Sequence, residues 1–559
     1  MFPDSTIAKN YASAHTKTNC IINDAIAPPM QQELVSQMKN GPFSLAIDGA
    51  SDNDLEKMNP LTVRLFDINT HKVEGRFLDM CSATASTAQA IYDKMNEVLN
   101  KHDIPWDYCV GMSVDNTSVN VGRHNSIKTR VEDANDTVYF MGCPCHILHN
   151  TAFYGGKAFE EIVNFSADDL CVDIFYWFEH SSKRKNLLSD FCDFCDVQYR
   201  QVIKHVSTRW LSLESAVERV LKQYSPLKSY FLSNAEQQAR FKRLKKLFQD
   251  PMTEIYLYFY QAVLPSFTCF NQLLQRSDPC IFLVYEGCWS IYKKILGKLL
   301  KVDKLEACLK DTTGDLMCVL ENQRSDKDLF VGITTRMQLN KCLADGDISD
   351  QQAKKFYTAV RQFYIAAAKL YMLKNLPLGD ETLKNAQFVN WEKRVSGSFE
   401  QVAYFAQRYQ HIFNFNARQH EILYDEFIDY QMMNDTDLPK QVKEAATLRL
   451  DEALYSLRMD VIWGHLGNLK VIQHLSKVAQ LVLVLPHSNA EEERAFSLVR
   501  KNKTCFRGNL DINRTLSAIM TIKMNSTAPC FEYKPTDEVV KNSKKVTWQF
   551  NKSHMSKNK

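Results

Sequence analysis

Two aspartates stand where apolar runs end: Asp48 in "FSLAIDGASD" and Asp115, 67 residues later, in "CVGMSVDNTS". Short apolar runs of this kind read as strands. If those strands are adjacent and parallel, both carboxylates emerge side by side at one sheet edge. Hard divalent cations prefer oxygen ligands, and two ions held close together activate a water or a 3′-hydroxyl and stabilise the leaving oxygen of phosphodiester transfer. A strand-end Asp also opens a turn, which for any single Asp is the commoner role. Both readings stand on these residues alone.

Other residue types suggest chemistry. Cys143, Cys145, His146 and His149 crowd together, yet a structural zinc site takes two ligand pairs across a longer loop and no second pair follows, so no structural zinc is expected. "RFKRLKK" places Arg240, Lys242, Arg243, Lys245 and Lys246 on one predicted helix, suited to phosphates or nuclear import, or equally to a solvated face. Residues 541–559 carry six lysines and no acid, a basic tail with nonspecific DNA affinity, expected to be disordered.

These residues must be positioned by an ordered scaffold. Strands are expected at Phe43–Asp48, Leu61–Asp67 and Val73–Met80, joined by short turns that favour an antiparallel meander. A helix capped by Thr87 and running to about Asn100 follows, then a strand at Tyr108–Asp115, a helix around Ile127–Val131 and a strand at Val138–Gly142. The order is βββαβαβ. Beyond Leu213 amphipathic helices dominate: Glu214–Leu232, Ala235–Phe248, Thr253–Leu274, Tyr285–Val302, Gln351–Leu373 and Phe399–Phe415. Towards the C-terminus Ile472, Leu475, Val478, Ala479, Val482 and Leu485 form one apolar face, stopped by Pro486. A capping box from Ser488 to Glu491 then starts another helix, where Glu491, Glu492 and Glu493 complement the positive helix end.

Composition sets the bounds. A chain of 559 residues, 45% hydrophobic and 24% charged, is ordinary for globular protein and long enough for two or three domains. The net charge of +3 neither demands nor excludes nucleic acid. Sixteen scattered cysteines and a start without an apolar run suggest reduced thiols in cytosol or nucleus. No run reaches the 18 or so apolar residues of a membrane span. There is no Gly-rich phosphate loop and no nucleophile elbow.

"GCPCHILHNTA", "STRWLSLESA" and "LVLPHSNAEEERAFSLVRKNK" follow one another in the order and context of hAT (hobo/Activator) transposase motifs. Cys143 and His146 resemble the family's Cys-x-x-His, Arg209 and Trp210 its Arg-Trp, and Glu493, Arg494, Phe496 and Ser497 its Glu-Arg-x-Phe-Ser block. The resemblance spans roughly residues 40–525. It implies an RNase H-like mixed sheet, with the first strand central and the fourth parallel beside it, interrupted by a large helical insertion. The expected division is a leader over 1–40, poorly ordered or partly helical; a first part of the core over 41–213; an all-helical insertion over 214–449; a dimerisation region completing the core over 450–525; and the basic tail over 526–559.

The resemblance further implies that Asp48, Asp115 and Glu493 form a DDE triad holding Mg²⁺ or Mn²⁺ for metal-dependent cleavage and strand transfer of DNA. Trp210 would stack on a flipped base, recovering about 1–3 kcal/mol against an unstacking penalty of similar size. Cys143, His146 and Arg494 would be scaffold residues of the site. Partners would be DNA and a second copy of the chain, in the nucleus, with no membrane. Two departures matter: the family's zinc-finger spacing is absent from residues 1–40, so a separate partner could recognise the DNA, and Gly49 stands where relatives often carry Glu, with Asp52 and Asp54 nearby. An active transposase-like nuclease and a catalytically silent, domesticated scaffold that binds DNA or chromatin both fit the motifs.

Overall fold

The computed structural model describes the chain apart from residues 1–5, 7–12, 48–49, 52–56, 83–86, 207–210, 450–454, 505–506, 508–509, 527–528 and 556–559. Helices predominate around a mixed five-stranded sheet. Its strands are β1 (Phe43–Ile47), β2 (Pro60–Asp67), β3 (Lys72–Met80), β4 (Cys109–Val114) and β5 (Tyr139–Gly142), in the spatial order β3-β2-β1-β4-β5. The first three are antiparallel, whereas β4 lies parallel to β1 and β5 parallel to β4. The β1–β4 adjacency expected above is therefore present, as is the order βββαβαβ.

Alternation along β1 divides the sheet into two unlike faces. Phe43, Leu45 and Ile47 join Leu61, Val63, Leu65, Met112 and Val114 in a fully apolar layer. Three helices cover it: α1 (Ala27–Asn40), α2 (Ala88–Lys101) and α3 (Ile127–Ala134), through Leu34, Met38, Met95, Leu99, Ile127 and Val131. Thr87 caps α2 by accepting from Ala90 N at 3.2 Å. Residues 1–40 thus supply an ordered helix, which its buried Leu34 and Met38 require.

The opposite face carries Ser44, Ala46, Thr62, Gly111 and Ser113, small side chains that let helices approach closely. Two come from the C-terminal region, α4 (Gln473–Val484) and α5 (Ala490–Asn502). A Cβ on Gly111 would lie 2.7 Å from Pro486 Cδ and 2.8 Å from Ser44 Oγ, so only glycine admits the end of α4 here. The stripe Ile472, Leu475, Val478, Ala479, Val482 and Leu485 is wholly buried within the chain. The sheet and neighbouring helices cover it, so these six residues are core of the chain. A further helix, α6 (Ser517–Asn525), guards the edge strand β3, where the Asn525 side chain bonds both Phe77 N (2.8 Å) and Phe77 O (2.9 Å).

The last helix, α7 (Asp537–Met555), overturns the expectation of a disordered tail. Val539 and Val546 are buried, and apolar burial of one helix face offsets the entropy lost on ordering.

The chain divides into two compact units. One holds the sheet, residues 1–143, 275–284 and 381–559; the other is helical, residues 144–274 and 285–380. The helical stretch therefore starts at Pro144 and not at 214, because Phe159 on the helix Pro144–Val163 belongs to an aromatic core with Tyr256, Phe259 and Phe356. Residues 381–449 go with the sheet: Tyr409 OH donates to Val110 O at 2.9 Å and Arg408 Nε to Thr137 O at 3.1 Å. Of the described residues, none forms a helix long and apolar enough to cross a membrane.

Candidate active site

The sheet edge at which β1 and β4 finish is the candidate site. Asp115 follows β4 directly and is half-buried. Its Oδ1 accepts from Thr117 N (3.1 Å), Thr117 Oγ1 (2.7 Å) and Asn120 Nδ2 (2.5 Å), which folds "DNTS" into a turn and the short helix Ser118–Val121. The turn-forming role is therefore real. It occupies one carboxylate oxygen only; Oδ2 accepts no hydrogen bond among the described residues, so the same side chain retains a donor atom for a cation.

The next residue anchors the loop from behind. Asn116 Nδ2 donates to Cys143 O at 2.8 Å, and a Cβ on Gly142 would collide with Asn116 Oδ1, so the "GC" pair admits this close approach. Cys143 is buried and its N–H extends the β4–β5 pairing by donating to Val114 O at 3.2 Å. Through these two backbone bonds Cys143 braces the loop that carries Asp115. Asp48, Asp52 and Asp54 lie outside the described residues. The last described pairing of β1 with β4 is Ala46 opposite Ser113, two residues before Asp115.

Helix α5 brings the acidic triplet across the sheet. Asn489, its N-cap residue, accepts from Ser113 Oγ at 3.0 Å. One turn on, buried Glu492 accepts a hydrogen bond from Thr62 Oγ1. Ser113 and Thr62 both flank Ala46, on either side of β1, so α5 spans three strands within this short distance. Glu491 lies against Gly75 and is an electrostatic partner of Arg64, residues paired across β2 and β3 and remote from the β1 and β4 ends. Each helical residue turns about 100°. Glu491 thus lies on the Gly75 flank and Glu492 points down at Thr62, and Glu493 is the next residue of the same first turn.

The predicted Ser488–Glu491 capping box does not form. Asn489 takes the N-cap position, Ser488 Oγ accepts from Ala490 N at 3.4 Å, and Glu491 instead pairs with Arg494 at 2.5 Å. Arg494 also donates to Gln275 O at 2.8 Å, which fixes α5 to residues 275–284. In the loop before α5, His487 is fully enclosed; burial, reinforced by Arg64, depresses its pKa well below the usual histidine value and keeps it neutral. Thr62, Ser113, Asn489 and Glu492 are contributors that spacing alone did not reveal; the one trace is a polar Ser in the middle of an otherwise apolar strand.

Within the helical unit, His146 and His149 occupy the first turns of Pro144–Val163. Burial, then the proximity of His146 and His205, pushes His149 down to about 4. His205, also buried, has Nε2 2.9 Å from Asp168 Oδ1 and is hydrogen-bonded through Nδ1 to Ser212 Oγ at 2.8 Å. Arg209 and Trp210 lie outside the described residues. Nothing in the sequence singles out His205 or Asp168, since their pairing is a tertiary event.

The basic helix Ala239–Gln249 is mostly spoken for. Arg240 and Arg243 both bind Asp173, at 2.9 and 2.8 Å, and Lys245 donates to Leu232 O and Asn234 O. Phe241, Leu244 and Phe248 are buried beneath, leaving Lys242 and Lys246 exposed. Arg240, Arg243 and Lys245 thus also hold the helix in place.

Among the described residues no group of three or more His, Cys, Asp or Glu is arranged to hold a metal ion, and Asp48 is not one of them. No family model matches the chain.

Proposed function

We propose that the chain is a hAT transposase-like protein with an RNase H-like core, which binds DNA and carries out metal-dependent phosphodiester cleavage and strand transfer. One observation supports this reading: α5, whose first turn carries Glu493, starts on Ser113, two residues before Asp115 on the same strand end, and crosses to Thr62. The order β3-β2-β1-β4-β5, with only β4 and β5 parallel to β1, supports the RNase H-like layout.

Asp48, Asp115 and Glu493 would hold Mg²⁺ or Mn²⁺, which when bound supplies Lewis acidity to the scissile phosphate. The protein's own contribution is positioning. Thr117 and Asn120 orient Asp115, Asn116 and Cys143 brace its loop, and the Ser113 and Thr62 contacts set the depth and rotation of α5. Trp210 would stack on a base displaced from the duplex, and Arg209, Lys242 and Lys246 would meet phosphates. The protein would act in the nucleus as a homodimer, through surfaces other than the stripe on α4.

Incubation with Mn²⁺ and hairpin or nicked DNA tests the nuclease. Cleavage by the wild type and none by Asp115→Ala is expected. No cleavage by the wild type, or equal cleavage by the variant, rejects the triad and leaves the silent DNA-binding scaffold. Light scattering tests the dimer: twice the chain mass is expected, and a monomer at micromolar concentration rejects it.

A further inference from the structure

Helix α7 turns one strongly basic, aromatic face outward. Lys541, Lys544, Lys545, Trp548 and Lys552 are all exposed. At 100° per residue they fall within an arc of about 100° on the helix surface. Val539 and Val546 are buried, and Ser543 and Phe550 partly so, on the far side. Burial of that far side fixes the helix and leaves the Lys/Trp face in solvent.

Trp548 is 62% exposed, an unusual position for the largest apolar side chain. Lys552 Nζ lies 5.0 Å from the centroid of its ring, so a cation and an aromatic surface meet at one point. Beside them runs a cavity of about 610 Å³, with Ile26, Pro535 and Val540 as apolar lining and Tyr533, Lys544 and Trp548 among its other walls. Ile26 also lines a second cavity of about 1070 Å³, whose wall includes Arg507 and Lys523 and one acid, Asp511. The acids of α7, Asp537 and Glu538, are confined to its first turn, where they complement the helix dipole.

The geometry points to α7 as a binding surface for single-stranded nucleic acid, with its lysines on backbone phosphates and Trp548 stacked on an unpaired base. Charge disfavours a basic partner, and a projecting tryptophan among lysines is the combination that reads a polyanion bearing flat rings. A duplex keeps its bases stacked and gives Trp548 no ring to meet. The inference deepens the DNA-binding part of the proposed function and is independent of the metal site.

The test uses the full chain in EDTA, so that no cleavage intervenes, and follows the anisotropy of a labelled thirty-nucleotide single strand at several salt concentrations. Wild type and Asp115→Ala should bind alike. Replacing Lys541, Lys544 and Lys545 together by Gln should weaken binding at low salt about tenfold or more and flatten the salt slope by about 2, since each single-strand phosphate contact contributes about 0.7. Trp548→Leu should weaken the single strand about tenfold with its salt slope retained, and leave duplex affinity unchanged. Circular dichroism melts of both variants should match the wild type, because every altered side chain is exposed. Absence of binding at low salt, or wild-type affinity and slope in both variants, overturns the assignment. So does binding to phosphatidylserine vesicles without binding to the strand. Cleavage lost in Asp115→Ala with strand binding intact separates this surface from the metal site.

Discussion

Ser113 Oγ donates to Asn489 Oδ1 at 3.0 Å, joining residues 376 positions apart in the chain. The bond sets the start of α5 upon β4, two residues short of Asp115. Replacing Asn489 by Ala leaves a buried serine hydroxyl without this acceptor, which costs about 1–2 kcal/mol. Urea denaturation should show that loss, and Mn²⁺-dependent cleavage should fall with it. Unchanged stability would mean that the contact does not hold the helix.

Glu492 and Glu493 should separate by assay. Glu492 is buried against Thr62, so Glu492→Ala should destabilise the protein by about 1–3 kcal/mol. Glu493→Gln should leave stability within about 0.5 kcal/mol of wild type. It should nevertheless reduce Mn²⁺-dependent cleavage on the order of a hundredfold. The reverse pattern would transfer the third carboxylate to Glu492.

Gly142→Ala would push a methyl into Asn116 Oδ1 and break the Asn116–Cys143 bond behind Asp115. A loss of about 1–3 kcal/mol is expected from thermal unfolding. Cleavage should fall further than the stability change explains, because the loop carrying Asp115 shifts. Wild-type activity in a folded Gly142→Ala protein would show that this brace is dispensable.

Lys298 supplies a pH dependence. It is buried on the helix Ile281–Leu299, donates to Ser266 Oγ at 2.7 Å and lies 4.1 Å from the Phe330 ring centroid. Burial, with Lys294 adding to it, lowers its pKa from 10.5 to about 7. The unfolded chain therefore binds this proton more tightly than the folded one. The resulting penalty is fully present below about pH 7 and is relieved as pH rises towards 10.5. Lys298→Met should stabilise the protein by a few kcal/mol at pH 6, with the gain shrinking towards pH 10. Urea midpoints across that range check this; a gain independent of pH would contradict it.

Much of the scaffold could be read from local pattern. Apolar alternation located all five strands of the sheet to within a residue or two, and Thr87 caps α2 as its residue type suggests, because strand period and side-chain caps depend on near neighbours. The capping box at Ser488 failed for the same reason in reverse: Asn489, held by Ser113, takes the N-cap, and the long-range contact overrides the local preference.

Residue order alone determined that Asp48 and Asp115 close two apolar strands, that three glutamates open one late helix and that the last lysines stand free of acids. Only tertiary packing decided that β1 and β4 lie parallel side by side, that Glu492 goes down onto Thr62, and that Lys541, Lys544, Lys545 and Lys552 share one outward helix face with Trp548. The physical reason is range. Strand and helix periodicity follow from contacts a few residues long, whereas the rotation of a helix about its own axis depends on which of its side chains find room and partners on a sheet hundreds of residues away.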